Sequence, residues 1–183
     1  MKERKDLKGY LRKRILIKMP SMKRLVGNFL EKARTNLTTM SILSAIKKNK
    51  KVIELLNIPE DYSPNEWIVT TAYYSMYLAA LAALAKLGYK SKNHIATVLA
   101  LEEFFVKRGL LEKEILELIE KARLEVEYIE MIKTAKDKRE IAQYSPTKKT
   151  VDSVAEDIKK DAYEFVDRME KLFEEIKISE KNE

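Results

Sequence analysis

The chain has 183 residues with no cysteine and one histidine, so a disulfide framework and a thiolate metal site are excluded. Hydrophobic residues make up 45% and charged residues 36%, which is too apolar for intrinsic disorder and too charged for a multi-span membrane protein. Four glycines, four prolines and the absence of a strand pattern favour long helices, so we predict an all-α protein.

The net charge of +7 comes from the N-terminus, because residues 1–24 carry +8 and the remaining chain −1. We define residues 1–20 as a basic N-terminal arm. Two interpretations stay open: the arm contacts RNA phosphates, or it is a solvated leader, since Tyr10 is its one aromatic residue. The cations that would contact RNA are Lys2, Arg4, Lys5, Lys8, Arg12, Lys13 and Arg14.

The first predicted helix begins at Pro20 and runs to about Lys50. Its apolar positions recur at three- and four-residue steps, as expected of a helix with one buried face. A loop follows at Asn57 to Tyr62. The apolar positions are Met22, Val26, Phe29, Ala33, Leu37 and Met40.

The second predicted helix begins at a capping box of Ser63, Pro64 and Glu66 and ends at Gly88. Its segment Ile68 to Ala85 has eighteen residues without a charge, the length at which a membrane helix must be considered. Six alanines and a hydroxyl-rich half instead favour a helix buried in protein, at the centre of a bundle. With no secretory signal visible, we expect a cytoplasmic protein without a membrane partner.

Ser91 or Asn93 is predicted to cap a third helix that runs to about Lys107, and Gly109 ends it. The fourth predicted helix begins near Glu112 and continues to about residue 142. Its apolar stripe consists of Ile115, Leu118, Ile119, Ala122, Val126 and Ile129.

A breaker at Ser145-Pro146-Thr147 separates the fourth helix from a long last one. Strict three- and four-residue spacing runs through Val151, Val154, Ile158, Ala162, Phe165, Met169, Leu172 and Ile176. Five helices with short connections predict an up-and-down antiparallel helical bundle over residues 21–178, followed by a tail at 179–183.

The sequence lacks the residues that most enzyme motifs require. It has no glycine-rich phosphate loop, no cysteine nucleophile and no histidine pair for a metal. We therefore expect neither a cofactor nor a metal. His94 stands at the start of a helix, where packing or capping is the commoner role and catalysis the alternative. Tyr73, Tyr74 and Tyr77 are core residues or, alternatively, line a binding pocket.

Arg139 stands near the end of the fourth predicted helix, and Tyr144 follows five residues later beside the breaker. A cation and a phenol that are held in place at a break between helices can bind a phosphate group. The alternative is that Arg139 caps the carbonyls of its own helix.

Several segments resemble the HEPN domain family, and most closely its small stand-alone archaeal and bacterial members. They are residues 72–80 (AYYSMYLAA), 87–94 (LGYKSKNH), 101–106 (LEEFFV), 139–144 (REIAQY) and 161–166 (DAYEFV). The resemblance implies a helical bundle that commonly dimerises, with the arginine segment near the dimer cleft.

Many members of that family act beside a minimal nucleotidyltransferase in two-gene toxin-antitoxin systems, and several are metal-independent endoribonucleases. Those nucleases use Arg, then four to six residues, then His. Here Tyr144 is the fifth residue after Arg139, and no histidine follows. Tyrosine has a pKa of about 10 and is a weak base at neutral pH. The resemblance therefore implies a site that can bind a phosphate but lacks the group that would transfer protons during cleavage.

Two hypotheses follow. The first is a non-catalytic or weakly active HEPN-like binding and regulatory module that forms a homodimer and pairs with a minimal nucleotidyltransferase. Tyr144 would then be a candidate acceptor of a nucleotidyl group. The second is an endoribonuclease with a degenerate site of Arg139, Tyr144 and His94, to which the basic arm delivers RNA.

Overall fold

The computed structural model describes residues 7–139 and 152–181, with side chains for 7–130 and 152–176. These ranges contain α1 (Leu7–Arg12), β1 (Leu16–Lys18), α2 (Val26–Lys48), α3 (Lys50–Leu55), α4 (Asn65–Lys86), β2 (Tyr89–Ser91), α5 (His94–Phe104), α6 (Lys113–Arg139) and α7 (Asp152–Lys181). Short 3₁₀ turns cover Pro20–Leu25 and Val106–Arg108. The all-α prediction is confirmed, and the five predicted helices correspond to α2, α4, α5, α6 and α7.

The four longest helices alternate in direction, as predicted for an up-and-down bundle. An ion pair between Lys47 and Asp152 joins the end of α2 to the start of α7. Arg34, more than three turns earlier in α2, binds Asp167 of α7 at 2.8 Å, so these helices are antiparallel. The pair Lys121–Asp161 at 2.7 Å belongs to the interface of α6 with α7.

Helix α4 lies at the centre of the bundle and packs against α2, α5, α6 and α7. It is long and apolar enough to span a membrane, but 61% of its most apolar window is buried inside the protein. Small side chains permit this position because they let neighbouring helices approach closely. The fully buried alanines are Ala72, Ala79, Ala80, Ala82, Ala83 and Ala85.

The helix ends show where local sequence signals succeed and fail. Gly88 adopts φ +76° directly after the C-cap of α4, as predicted. The predicted capping box is wrong, because α4 begins at Asn65 with Pro64 at the N-cap, so Ser63 lies outside the capping position. The Asn65 amide instead donates 2.8 Å to Asp152 of α7, which ties the start of the helix to a neighbour.

The sequence pattern missed the small antiparallel sheet, in which β1 pairs with β2. Leu16 is 1% exposed, so this part of the basic arm is built into the domain. The interpretation as a solvated leader is therefore wrong for residues 7–18, and residues 1–6 lie outside the described ranges. Three-residue strands carry too little periodicity to be read from sequence.

We expect Gly88→Ala to destabilise the protein more than Gly109→Ala. Both glycines have left-handed φ values, +76° and +69°, so alanine is strained at either site by about 1–2 kcal/mol. A Cβ at Gly88 would also lie 3.2 Å from the Cα of Pro20, whereas a Cβ at Gly109 would meet nothing within 4 Å. We predict an additional loss of about 1 kcal/mol at Gly88 from this overpacking, measurable by urea denaturation. Equal losses would contradict the close approach to Pro20.

Candidate functional site

His94 is the first residue of α5, and its position is set by the cap that precedes it. The Asn93 side chain accepts a hydrogen bond from the Ala96 backbone N–H at 2.9 Å. Of the two predicted caps, Asn93 is therefore the one used. This cap fixes the direction in which α5 leaves the sheet and holds His94 against α4 and α6.

A chain of hydrogen bonds passes through His94 and joins three helices. The His94 Nε2 lies 2.7 Å from Oε1 of Glu120 on α6. A carboxylate can only accept, so Nε2 carries the hydrogen, and in the neutral ring Nδ1 is an acceptor. The Tyr73 hydroxyl of α4 lies 3.3 Å from Nδ1 and donates to it. Both ring nitrogens of His94 are thus occupied by protein groups.

Aromatic rings enclose the imidazole on its α4 side. Tyr73 and Tyr77, one turn apart, stack with centroids 5.9 Å apart and planes 12° apart. Tyr77 also stacks on His94 at 6.0 Å. The side chain of His94 is only 11% exposed, so the ring is packed rather than presented to solvent. Tyr74 also contacts Tyr73, with ring centroids 5.3 Å apart, but it has no ring contact with His94 and is 49% exposed.

The electrostatics of the cluster favour a neutral imidazole beside an ionised carboxylate. Burial lowers the pKa of His94 below its ordinary value, although Glu120 opposes the shift. Burial acts to raise the pKa of Glu120, but the hydrogen bond from His94 and the charge of Arg123 outweigh it, and the pKa lies below its usual value. Burial, followed by the neighbouring Tyr77 and Tyr74, raises the pKa of the Tyr73 phenol. Tyr73 therefore stays protonated at neutral pH and acts as a hydrogen-bond donor, not as a base.

Arg123 completes the cluster on the α6 side. Its guanidinium donates from Nε to Glu120 Oε2 at 3.2 Å and is also paired with Glu127, one turn further along α6. Glu120 therefore bridges His94 and Arg123. The sequence signal for this arrangement was weak: Glu120 and Arg123 are spaced i, i+3 on one helix, but nothing local indicates that α5 brings His94 to them.

Of the three predicted catalytic residues, only His94 has a described side chain. His94 lies in the cluster, together with Tyr73 and Tyr77 of the proposed pocket-lining set. Arg139 is the last residue of α6, its side chain is outside the description, and Tyr144 lies outside the described residues. A shared site for Arg139, Tyr144 and His94 therefore stays a prediction, as does a binding pocket lined by the three tyrosines.

Among the described side chains, those of residues 7–130 and 152–176, no three acidic or histidine groups lie close enough together to hold a metal ion. Near neutral pH, three groups in the cluster of Tyr73, His94, Glu120 and Arg123 are charged or titratable. They are one imidazole, one carboxylate and one guanidinium. Its chemistry is that of a satisfied hydrogen-bond network joining α4, α5 and α6.

Because His94 is the one histidine in the chain, its titration can be followed by NMR without assignment. We expect a midpoint below 6.5, the ordinary histidine pKa. Glu120→Gln removes the carboxylate that favours the imidazolium and should lower the midpoint further. The matched control is Glu117→Gln, one turn earlier on α6 and solvent-exposed, which should leave the midpoint unchanged. A rise in the Glu120→Gln midpoint would contradict the network.

The lowered pKa of His94 also predicts how stability depends on pH. Below about pH 6.5 the unfolded chain binds a proton that the folded chain does not, so the free energy of unfolding falls as the pH falls. The slope cannot exceed about 1.4 kcal/mol per pH unit for one group. We expect this loss between pH 7 and 5.5 in urea titrations, and a flatter profile in His94→Gln. An unchanged slope in the variant would assign the effect to other groups.

No family model matches the chain, and comparisons with curated proteins and with solved structures found no significant match. The resemblance to the HEPN family therefore rests on the sequence segments given above.

Proposed function

We propose that the chain is a HEPN-like helical binding and regulatory module that pairs with a minimal nucleotidyltransferase and does not cleave RNA itself. The observation that carries the non-catalytic part is the state of His94. Metal-independent RNA cleavage needs a group that accepts the 2′-OH proton and one that protonates the leaving oxygen, and histidine serves both near neutral pH. The imidazole of His94 is enclosed, its Nε2–H is directed to Glu120, and its Nδ1 accepts from Tyr73.

Pairing with a nucleotidyltransferase is supported by the HEPN-like segments and by the all-α bundle. The proposal includes a homodimer, since dimerisation is common in the family that the segments resemble. It also includes Tyr144 as an acceptor of a nucleotidyl group. In that reaction the Tyr144 hydroxyl oxygen forms a bond to the α-phosphorus of ATP, the bond to the β-phosphate oxygen breaks, pyrophosphate leaves, and the phenol proton passes to a base of the partner enzyme or to water.

The test uses the full chain and each minimal nucleotidyltransferase encoded in the genome of its source. The chain is mixed with each purified enzyme, and complex formation is measured by size exclusion with light scattering. Incubation with ATP and magnesium should then add one adenylyl group, which intact-mass and peptide mass spectrometry place on Tyr144. Tyr144→Phe should abolish the addition, and the control Tyr128→Phe, at an exposed tyrosine of α6, should not.

Two results would overturn this proposal. A monomer that binds none of the nucleotidyltransferases would remove the partner. Cleavage of RNA in EDTA that disappears in Arg139→Ala would instead establish the endoribonuclease. His94→Gln then shows whether the enclosed imidazole takes part in that cleavage.

A further inference from the structure

Strand pairing joins two stretches of the chain that contain no acidic residue. Residues 7–27 carry seven cations and residues 86–93 carry three, and neither stretch has an Asp or Glu. Because β1 pairs with β2, these stretches lie together at one corner of the protein, which we call the basic face. Its cations are Lys8, Arg12, Lys13, Arg14, Lys18, Lys23, Arg24, Lys86, Lys90 and Lys92.

The ribbon of β1 and β2 presents two of these lysines outward. Leu16 faces the core, so the neighbouring Ile17 points to the opposite side, and Lys90 is its cross-strand partner. The backbone N–H of Lys92 donates to the Ile15 carbonyl at 3.0 Å and continues the pairing by one residue. Lys90 and Lys92 therefore share the outer surface of the ribbon, and both are exposed.

The turn between α1 and β1 adds two cations at a fixed position. The Ile15 N–H donates to the Tyr10 carbonyl at 2.9 Å and the Arg14 N–H to the Leu11 carbonyl at 3.1 Å, which is the bonding pattern of a Schellman motif. Arg14 has φ 55° at the position where glycine is usual. Lys13 and Arg14 are therefore anchored beside the ribbon rather than carried on a loose arm.

Most cations on the basic face lack an ion-pair partner, although Lys23 and Lys86 line a hollow together with Asp167, Glu170 and Glu174 of α7. On the sides of the bundle, many cations have carboxylate partners, as in Lys121–Asp161 and Arg168–Glu112, both at 2.7 Å. In contrast, eight cations of the basic face make neither a hydrogen bond nor an ion pair through their side chains within the described part of the chain. They are Arg12, Lys13, Arg14, Lys18, Lys23, Arg24, Lys90 and Lys92. Such a field attracts a polyanion.

We propose that the basic face binds the phosphate backbone of RNA without sequence preference. The inference depends on the basic face alone and holds whether or not the chain pairs with a nucleotidyltransferase. Repeated phosphates fit a spread of separate cations, each of which neutralises one phosphate and releases counterions. The face lacks the exposed aromatic rings that would stack on bases, so the contact is electrostatic.

A membrane surface fits the basic face less well than RNA. Peripheral membrane binding uses bulky apolar side chains that insert beside the cations. The described residues with the most exposed apolar side chains include Leu55 on α3 and Trp67 on α4, at 79% and 58%, away from the basic face. On the basic face no large apolar side chain exceeds the 39% of Leu25.

The experiment measures binding of the full chain to a fluorescein-labelled 20-nucleotide single-stranded RNA of mixed sequence by anisotropy. Titrations run from 50 to 200 mM salt, and we expect micromolar binding at the lowest salt. Lys90→Glu with Lys92→Glu should weaken binding at least tenfold. The slope of log affinity against log salt should become shallower by about 1.4, since two phosphate contacts are lost at about 0.7 each.

The matched control is Lys50→Glu with Lys51→Glu, which makes the same change in net charge at exposed lysines of α3. It should retain affinity within about threefold, the allowance for long-range charge at low salt. On the unmodified protein, RNA should protect Lys90 and Lys92 from acetylation but not Lys50 and Lys51, a readout that does not depend on any variant folding.

Several outcomes would overturn the proposal: no RNA binding at 50 mM salt, equal losses in the two double variants, or acetylation that RNA leaves unchanged. Sedimentation with phosphatidylserine vesicles tests whether the basic face binds the phosphates of a lipid surface instead of those of RNA. Tight vesicle binding that 20-nucleotide RNA fails to compete would assign the face to a membrane. A failure of all these RNA measurements leaves complex formation with a nucleotidyltransferase unaffected, so the two proposals fail independently.

Discussion

We expect Ala80→Glu to abolish the cooperative unfolding transition of the protein. Ala80 is fully buried in α4, the helix that contacts α2, α5, α6 and α7. A carboxylate there would be placed among apolar side chains without a partner, at a cost of several kcal/mol. The added volume costs about 1–3 kcal/mol more, because packed interiors do not expand freely. Single domains are stable by only about 5–15 kcal/mol, so the sum removes most or all of the stability.

Ala45→Glu is the matched control for Ala80→Glu. Ala45 is an exposed alanine of α2, so the same substitution should change stability by no more than about 0.5 kcal/mol. Circular dichroism during heating and the elution volume of each variant measure the difference. Two variants with equal stability would contradict the burial of α4. A lipid-facing α4, the alternative raised by its uncharged segment, would show as a wild-type chain that needs detergent to stay in solution.

The helices of the bundle were predictable because their apolar residues repeat at the helical period. The stripe predicted for α7 is buried from Ile158 to Leu172, and five of the six positions of the α6 stripe are buried, Ile119 and Ala122 completely. Periodicity works in these helices because each has one face toward the core. It fails in β1, where pairing with β2 rather than a repeating pattern holds three residues in place.

The His94 cluster was only partly predictable for a related reason. A helix start at His94 could be read from Asn93, because a cap is a local feature. The partners Tyr73 and Glu120 lie 21 and 26 residues away in sequence, and their distances to His94 depend on how α4, α5 and α6 pack. The way three packed helices are positioned against one another depends on the whole core, so a short sequence motif cannot predict it.

The second large effect is expected for Leu172→Ala on α7. Leu172 is fully buried among the core residues, so its truncation loses apolar burial and leaves a cavity. Such substitutions cost about 2.7–5 kcal/mol, depending on how far the surroundings collapse. We expect urea denaturation to show a loss in this range with an unchanged slope, because the native fold is retained.

Leu124→Ala on α6 is the control that isolates burial from residue type. Leu124 is 56% exposed, since it lies off the apolar stripe of α6 that contains Ala122 and Val126. The same truncation should therefore cost no more than about 1 kcal/mol, as expected for a largely solvated side chain. If Leu124→Ala instead proved as costly as Leu172→Ala, then α6 would have to bury its outer face, and a second protein surface would have to cover it. Light scattering would then show that the wild-type chain is an oligomer. On dilution this oligomer should dissociate, and the stability of the wild-type chain should fall in parallel.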